Sequence, residues 1–285
     1  MKRQKRSIDI LVISDIHLGT YGCHAKELLL YLRSIKPGIV VLNGDIIDIW
    51  QFSKSYWPKS HMKVIRLLFK WVSKGVKTYY VTGNHDEMLR RFAGLKMGSL
   101  SIVNKVVLDM PGGAKAWIFH GDVFDITMQH SRWLAKLGAI GYDTLILINR
   151  AFNFFSEKVL HKGKLSLSAK IKEGVKTAVA YINNFELTSA EIGISNKFEY
   201  VICGHIHHPE IRTISTTEGS IIYMNSGDWV ENLSALEYSK GAWSLYRFDE
   251  HKIDDMNVEP EDDDEEINTS QLFDNMLHEF NMMRK

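Results

Sequence analysis

The sequence predicts an α/β protein with two sheets, and three observations support this prediction. Short runs rich in Val and Ile recur along the chain, and such runs are typical of buried strands. Segments of helical period separate the first three runs, which is the alternation of βαβ units. The composition, 45% hydrophobic and 24% charged over 285 residues, is that of a globular protein with enough apolar material for a sizeable core.

The apolar runs place the individual elements. Strands are predicted at 8–14, 38–43, 76–81, 116–120 and 200–204. Helices are predicted between the first three of these strands, at 25–34 and 61–73. The later runs at 221–227 and 242–248 have no helix between them. They therefore predict a second, more antiparallel sheet.

The segment 125–198 differs from the chain on either side of it. Its apolar residues recur at spacings of three and four, as in Trp133, Leu137 and Ile140, which predicts a helical insertion between two strands. The core would then comprise 1–124 and 199–248. Residues 158–176 hold six lysines against the single acid Glu173, a cluster that either binds anions or is a solvated helix face.

The charge of the chain is unevenly distributed. Residues 249–285 carry 13 acidic and 3 basic side chains, so residues 1–248 carry 32 basic against 21 acidic ones. We interpret the acidic segment as a linker followed by a tail helix. The basic body either attracts anions, such as a nucleotide, a nucleic acid or an acidic membrane face, or serves solubility alone.

Cysteine content and apolar run lengths exclude several classes of protein. Cys23 and Cys203 are the only cysteines, too few for a disulfide scaffold or a thiolate zinc site. Any metal must therefore use nitrogen and oxygen ligands. The apolar stretches are too short for a membrane span. Asp9 interrupts the first apolar run and no small-residue cleavage site follows it, so we expect a cytoplasmic protein.

Polar residues follow five of the predicted strands. They are Asp15 and His17, Asn43 to Asp45, Gly83 to Asp86, His120 to Asp122, and Gly204 to His208. In open α/β sheets ligands bind beyond the carboxyl ends of the strands, so these residues are expected to converge on one site. Each segment alone is weak support, because a single buried His is more often a core residue than a ligand.

Together these residues predict a metal centre. On extended backbone Asp15 and His17 would point to the same side and chelate one ion, and His205 and His207 repeat that spacing. Carboxylates, imidazoles and the amide of Asn84 suit Mn, Fe, Zn, Co or Ni better than Ca. The ligands exceed the needs of one ion. Two neighbouring ions, an arrangement suited to hydrolysing phosphate esters, would use them all.

In order and spacing these motifs resemble the calcineurin-like metallophosphoesterases, over about residues 8–248. The resemblance implies a two-sheet α/β sandwich and two divalent ions, with Mn favoured over Zn, Fe, Co and Ni. It implies that Asp15, His17 and His207 bind one ion, that Asn84, His120 and His205 bind the other, and that Asp45 bridges them. It also implies that His85 contacts the phosphoryl group or protonates the leaving oxygen. Asp86 would orient His85 or begin a helix.

Within this superfamily the chain resembles most the UDP-2,3-diacylglucosamine diphosphatase group of lipid A synthesis. The shared features are His120-Gly121-Asp122, the helical insertion, and the strings at 204–210 and 225–229. The resemblance implies that the insertion is a lid for acyl chains and that the partner is an anionic nucleotide-sugar lipid at the cytoplasmic membrane face, where the protein would be peripheral. No nucleic-acid partner is expected. The implied substrate contacts are Asn84, His85, Asp125, Ser166, Ser168, Lys170 and Lys172.

One residue departs from the pattern of that group. Its best-studied members carry Arg after the metal-binding Asn, where this chain has His85, the commoner choice in the wider superfamily. Two further functions therefore stay open: a metallophosphodiesterase that acts on a nucleotide, a nucleic acid end or a phospholipid precursor, and a scaffold of this fold without catalysis. An apolar groove under the lid would favour the lipid substrate, and an open cleft would favour another phosphodiester.

Overall fold

The computed structural model describes residues 5–49, 56–124 and 167–249, with the backbone alone over 167–179. The first half contains β1 (Arg6–Ile13), α1 (Ala25–Ser34), β2 (Ile35–Asn43), α2 (Lys59–Ser73), β3 (Lys77–Val81), β4 (Lys96–Met97), β5 (Leu100–Val103), β6 (Lys105–Asp109) and β7 (Lys115–Phe119). The second half contains α3 (Leu167–Ser195), β8 (Tyr200–Cys203), β9 (Glu210–Thr216), β10 (Gly219–Asn225), β11 (Ser234–Ser239) and β12 (Ala242–Arg247).

The first sheet has the strand order β12-β11-β1-β2-β3-β5-β4 over the described residues. β1, β2, β3 and β5 are parallel to one another, with Val12 opposite Val41 and Val41 opposite Tyr79. Because α1 and α2 carry the chain back between these strands, the carboxyl ends of β1, β2 and β3 lie at one edge of the sheet. β11 pairs antiparallel with β1, and β12 with β11.

The second sheet has the order β6-β7-β8-β10-β9 in the part of the chain that the structure describes. β7 and β10 both pair parallel with β8, whereas β6 and β9 pair antiparallel at the two edges. The carboxyl ends of β7 and β8 therefore lie side by side, as those of β1 to β3 do in the first sheet.

The alternation of side chains along the strands builds a layered core. In β1, Leu11 and Ile13 pack with α1 and α2, while Ile10 and Val12 face the other sheet. In β8, Ile202 lies in the layer between the two sheets. Val201 and Cys203, on either side of it in the strand, point to the outer face and pack with residues of α3. The described chain is therefore a two-sheet sandwich with α1 and α2 outside one sheet and α3 outside the other.

The structure confirms the predicted strands and helices of the first half and corrects one assignment in the second. The helix predicted at 25–34 is α1, and that at 61–73 begins two residues earlier. The run at 242–248 forms β12, which joins the edge of the first sheet and not the second. The prediction that the runs at 221–227 and 242–248 share the second sheet is therefore wrong for the later run, because the chain crosses between the sheets after β10. The second sheet is mixed, with two parallel and two antiparallel pairings.

The predicted insertion is described only in its last part, where the 29-residue helix α3 lies. Near the end of this helix Phe185 and Ala190, both 0% exposed, pack against the second sheet. Phe185 also contacts the ring of Phe124, at 5.5 Å between centroids. Residues 125–166 and the acidic segment from 250 onward lie outside the described residues, so the domain boundaries at 125, 198 and 249 stay predictions.

Candidate metal centre

The predicted ligands follow the parallel strands and meet where the two sheets come together. Asp15 and His17 lie two and four residues after β1, and Asp45 lies two residues after β2. Backbone hydrogen bonds join these two loops: Asp15 N–H donates to Gly44 O at 3.0 Å and His17 N–H to Asp45 O at 2.9 Å. In the second sheet Gly204 N–H donates to His120 O at 2.9 Å, which joins the loops after β8 and β7.

Asp15, His17 and His207 form the first ligand cluster. One ligand atom from each of the three lies within 4.8 Å of the other two. Asp15 is fully buried and His17 is 8% exposed, and His207 Nε2 lies 3.1 Å from Asp15 Oδ1. The cluster thus joins a residue pair from the first sheet to a histidine that follows β8 of the second.

Asp45, His120 and His205 form the second cluster, with ligand atoms within the same 4.8 Å limit. His120 Nε2 lies 3.2 Å from Asp45 Oδ2. The other ring nitrogen, Nδ1, lies 2.9 Å from the carbonyl oxygen of Asn43, so Nδ1 carries the proton and Nε2 presents its lone pair to the cluster. The His120 and His205 rings are 5.2 Å apart. Asn84 precedes His85, whose N–H donates to Asp45 Oδ1 at 2.8 Å.

Several buried polar atoms at the clusters have no hydrogen-bond partner within the described ranges. They are Asp15 Oδ1, His17 Nε2, Asn84 Oδ1 and His120 Nε2. A buried polar atom left unpaired costs about 1–3 kcal/mol, so such atoms are rare in folded proteins. Three of them belong to the two ligand clusters and Asn84 directly precedes His85; all four are nitrogen or oxygen donors, which suits divalent ions.

The backbone at the ligands is in the left-handed region. Asp15, His17, Asp45, His205 and His207 have φ values of 51°, 53°, 54°, 66° and 50°. Residues other than Gly rarely adopt this conformation, which costs roughly 1–3 kcal/mol each and is concentrated at functional sites. The prediction that Asp15 and His17, like His205 and His207, lie on extended backbone is therefore wrong. From this left-handed backbone Asp15 and His17 reach the same cluster, whereas His205 and His207 belong to different clusters and do not chelate one ion together.

Glycines allow the loops to approach each other closely. A Cβ atom on Gly83 would lie 2.2 Å from Asp45 Oδ1, and one on Gly204 would lie 2.7 Å from Asp15 Oδ2. Real Cβ atoms do not approach other atoms so closely, and the neighbours here are carboxylates of the two clusters. Only Gly at 83 and 204 lets Asp45 and Asp15 occupy their positions.

The carboxylates and imidazoles shift each other's pKa values. Burial raises the pKa of Asp15, but His207 and His120 lower it more strongly, to about 2. Burial lowers the pKa of His207, but Asp15 raises it to about 9. In the same way Asp45 raises the pKa of the fully buried His120 well above its usual value. Carboxylates that stabilise positive charge on a histidine stabilise a divalent cation in the same place.

His85 lies beside the clusters and is held by a residue that the sequence analysis did not select. Its Nδ1 atom lies 3.0 Å from Oδ2 of Asp48, a carboxylate that is 1% exposed. Although burial lowers the pKa of His85, hydrogen bonding to Asp48 raises it, and the net shift is upward. The same Oδ2 atom lies 3.5 Å from His17 Nδ1. Asp48 thus contacts one predicted ligand and the predicted catalytic histidine.

Asp86 stands at the N-terminus of the short 3-10 turn Glu87–Phe92, as one of its two predicted roles requires, but its side chain binds elsewhere. Its carboxylate accepts hydrogen bonds from Gly83 N at 2.6 Å, Ile46 N at 3.1 Å and Tyr80 Oη at 2.7 Å. It makes no side-chain cap on the short 3-10 turn Glu87–Phe92 that follows. Asp86 therefore ties the loop after β3 to the loop after β2, while Asp48 is the carboxylate beside His85.

Asp228 is a second buried carboxylate, and it organises the loop after β10 that contacts His207. Asp228 accepts hydrogen bonds from the N–H groups of Val230, Glu231 and Asn232. Asn232 Nδ2 in turn donates to His207 O at 3.0 Å. The sequence contained signals for both missed carboxylates, since Asp48 lies three residues after Asp45 and Asp228 follows the Asn-Ser-Gly turn after β10.

The residues predicted to bind substrate through the lid are not placed. Asp125 and Ser166 lie outside the described residues, and for Ser168, Lys170 and Lys172 only the backbone of α3 is described. Asn84 and His85, the other two predicted contacts, lie at the clusters. Among the described helices, none combines the length and apolar character needed to cross a membrane.

The sandwich fold and its ligand clusters define a metal-dependent hydrolase. The chain belongs to the calcineurin-like phosphoesterase family, whose model matches residues 8–209. The UDP-2,3-diacylglucosamine hydrolase of Aliivibrio fischeri (strain MJ11) is 26% identical, over 84% of this chain and 98% of that protein. The enzyme of the same name from Stenotrophomonas maltophilia (strain K279a) is 25% identical, over 82% and 96%. The one from Neisseria gonorrhoeae (strain ATCC 700825 / FA 1090) is 27% identical, over 79% and 91%. A solved archaeal phosphodiesterase aligns over 84% of this chain and 98% of its own, with 12% identity and a TM-score of 0.40.

Proposed function

We propose that the protein hydrolyses the diphosphate of a UDP-linked 2,3-diacylglucosamine, a step of lipid A synthesis, and releases UMP and 2,3-diacylglucosamine 1-phosphate. The observation that carries the hydrolase chemistry is the pair of ligand clusters, with buried donor atoms that lack hydrogen-bond partners among the described residues. The substrate is supported by relatives named UDP-2,3-diacylglucosamine hydrolase, which align over nearly their whole length.

The residues present fit two divalent ions. Asp15, His17 and His207 would hold one, Asn84, His120 and His205 the other, and Asp45 would bridge them; the ions would supply a nucleophilic water and neutralise charge on the phosphoryl oxygens. Asp45 lies in the second cluster, where its Oδ2 faces His120, and its carbonyl oxygen accepts the N–H of His17 of the first cluster, which places it beside both. We propose Mn as the metal, with Zn, Fe, Co and Ni as alternatives for this donor set.

His85 would protonate the leaving oxygen or bind the phosphoryl group. Asp48 fixes the orientation of the ring through Nδ1 at 3.0 Å, and Nε2 is the atom that would meet the substrate. A proton on Nδ1 that is held by a carboxylate keeps the imidazole in one tautomer and one rotamer. His85 is about one fifth exposed in its side chain, so a substrate can reach it, whereas Asp48 is buried and acts only through its neighbours.

The lipid part of the substrate would be held by the insertion. We propose that residues 125–198 cover the cleft, that Ser166, Ser168, Lys170, Lys172 and Asp125 contact the phosphates and sugar, and that lysines between 158 and 176 face the anionic cytoplasmic surface of the inner membrane. The packing of Phe185 and Ala190 into the second sheet anchors the end of the insertion to the core. A deletion that tests the lid must therefore leave these two residues in place.

The direct test measures how fast the Mn-loaded protein hydrolyses UDP-2,3-diacylglucosamine and, in a separate assay, bis(p-nitrophenyl) phosphate. Phosphorus NMR then identifies the products. We expect UMP and a sugar 1-phosphate from the lipid, at a higher kcat/KM than for the generic diester. Asp45→Ala should lower both activities by more than tenfold, which is more than ~1.4 kcal/mol of barrier, because it removes the carboxylate of the second cluster that we propose bridges the ions. Asp109→Ala, an exposed Asp on β6, is the matched control and should keep both.

Three results would contradict parts of the proposal. Hydrolysis of the generic diester without the lipid would show a phosphodiesterase of other specificity. No turnover of either substrate, with two equivalents of metal bound, would show a scaffold. Activity of Asp45→Ala within tenfold of the parent would show that Asp45 does not bridge the ions.

A further inference from the structure

A pocket of about 290 Å³ lies between the loop after β1 and the start of α2. Its walls include two aromatic rings, those of Tyr21 and Tyr56, together with the polar side chains of Lys26, Glu27 and Ser60. None of these residues belongs to the ligand clusters or has a part in the chemistry described above. The volume is close to the lower limit of small-molecule sites.

The aromatic wall is unusually accessible. Tyr21 is 84% exposed, the largest value among the exposed large hydrophobic side chains of the described chain. Its ring lies over that of the half-buried Tyr56, with centroids 3.7 Å apart and planes tilted by 34°. A flat aromatic surface with one face open to solvent is what a nucleobase stacks on, at ~1–3 kcal/mol per base.

The wall behind the two tyrosines is held rigidly. His61 is 2% exposed, and its Nδ1 accepts the N–H of Gly19 at 2.9 Å. Its ring meets Tyr56 and Trp57 edge-on, with centroids 6.0 and 5.7 Å away. Because Tyr56 is supported by His61, only the ring of Tyr21 remains to be ordered when a ligand binds.

The loop after β1 takes part in both the metal centre and the pocket. On one side of this loop Leu18 N–H donates to Ile46 O at 3.0 Å and Leu18 O accepts from Asp48 N at 2.9 Å. On the other side Gly19 contacts His61. Tyr21 follows the ligand His17 by four residues, which limits their Cα atoms to within ~14 Å. A nucleoside diphosphate can bridge that span with its phosphates at the clusters and its base at the pocket.

We infer that the Tyr21–Tyr56 pocket binds the nucleobase of the substrate, which is uracil if the proposed function is right, while its phosphates lie at the metal centre. This inference rests on the proposed function for the identity of the base. The wall carries both charge signs, Lys26 and Glu27, and thus offers donors and acceptors to a neutral ring that has carbonyl oxygens and an N–H. A phosphate or a peptide carboxylate would leave Glu27 facing a like charge.

The test compares two ligands that differ by the base, UMP and ribose 5-phosphate, titrated calorimetrically into the metal-loaded protein. Tyr21→Ala should raise the Kd of UMP roughly 5- to 150-fold, which corresponds to the loss of ~1–3 kcal/mol of stacking, and should leave that of ribose 5-phosphate within twofold. Tyr21→Phe keeps the ring and should bind UMP like the parent. Phe69→Ala removes an aromatic side chain that is 59% exposed on α2 and does not line the pocket; it should change neither Kd.

The outcomes separate this inference from the proposed function. Unchanged UMP affinity in both Tyr21→Ala and Tyr56→Ala, or equal weakening of UMP and ribose 5-phosphate, would overturn the base-binding pocket even if the lipid substrate is cleaved. Selective weakening of UMP in a protein that does not cleave UDP-2,3-diacylglucosamine would support the pocket and refute the proposed substrate. Tyr21 is mostly in solvent, so loss of its ring should not prevent folding, which circular dichroism and metal content check.

Discussion

Replacing Asp48 with Asn keeps the shape of a buried side chain and removes its charge. Asp48 lies 3.0 Å from His85 Nδ1 and 3.5 Å from His17 Nδ1, so the substitution weakens its hold on either ring. Residues that orient a catalytic or ligating histidine are worth roughly 10- to 100-fold, or ~1.4–2.7 kcal/mol of barrier. Since the contact to His85 is the shorter one, we expect Asp48→Asn to lower kcat by that factor with metal content and KM nearly unchanged.

A double-mutant cycle identifies the partner through which Asp48 acts. If it acts by positioning His85, then Asp48→Asn should change kcat by less than twofold in a His85→Ala background. The assay is hydrolysis of bis(p-nitrophenyl) phosphate together with metal analysis by mass spectrometry, and Asp48→Glu tests whether charge alone restores the rate. Loss of metal, or a full 10-fold drop in the His85→Ala background, would refute the reasoning and assign Asp48 to His17 and the first ligand cluster.

Three further substitutions test other parts of the molecule. His85→Ala should keep both metals and slow turnover by roughly 10²- to 10⁴-fold, the usual contribution of a general acid or base; metal loss would make it a structural support. Gly83→Ala should abolish metal binding, because the new Cβ would lie 2.2 Å from Asp45 Oδ1, and normal metal content would disprove this crowding. Gly75→Ala, where a Cβ meets nothing within 4 Å but φ is 81°, adds backbone strain without crowding and should keep both metals. Glu237→Ala should lower the free energy of unfolding in urea by about 1–3 kcal/mol, because it strands the buried Tyr31 hydroxyl that donates to Glu237 at 2.9 Å. A change below 1 kcal/mol would show that the site relaxes.

The local pattern of the sequence determined the first half of the fold. Val and Ile runs marked β1, β2 and β3, and the 3.6-residue period between them marked α1 at the residues where the structure has it. These features could be predicted because the spacing of apolar residues over a few positions shows which face of a strand or helix is buried. Short edge strands such as β4 and β9 were missed, because exposed edge positions carry no apolar pattern; β9 has no buried residue at all.

The same local signals selected the ligand residues but not their geometry. Polar residues at strand ends have no use in a core, so Asp15, Asp45 and His120 stood out from the sequence. The left-handed turns at Asp15 and four other ligands could not be foreseen, because the energy that holds a strained backbone comes from contacts between loops distant in the chain, such as Gly204 with Asp15.

Only the tertiary structure decided which polar groups act together. Asp48 and Asp86 both lie in motifs visible in the sequence, yet the fold places Asp48 beside His85 and turns Asp86 toward the backbone of Gly83 and Ile46. The pairing of Tyr21 with Tyr56, 35 positions apart, is likewise a product of how the loop after β1 packs on α2. The pattern of apolar residues shows which positions of one segment are buried. Which side chains become partners depends on how the segments are placed relative to each other, and the packing of the whole core sets that placement.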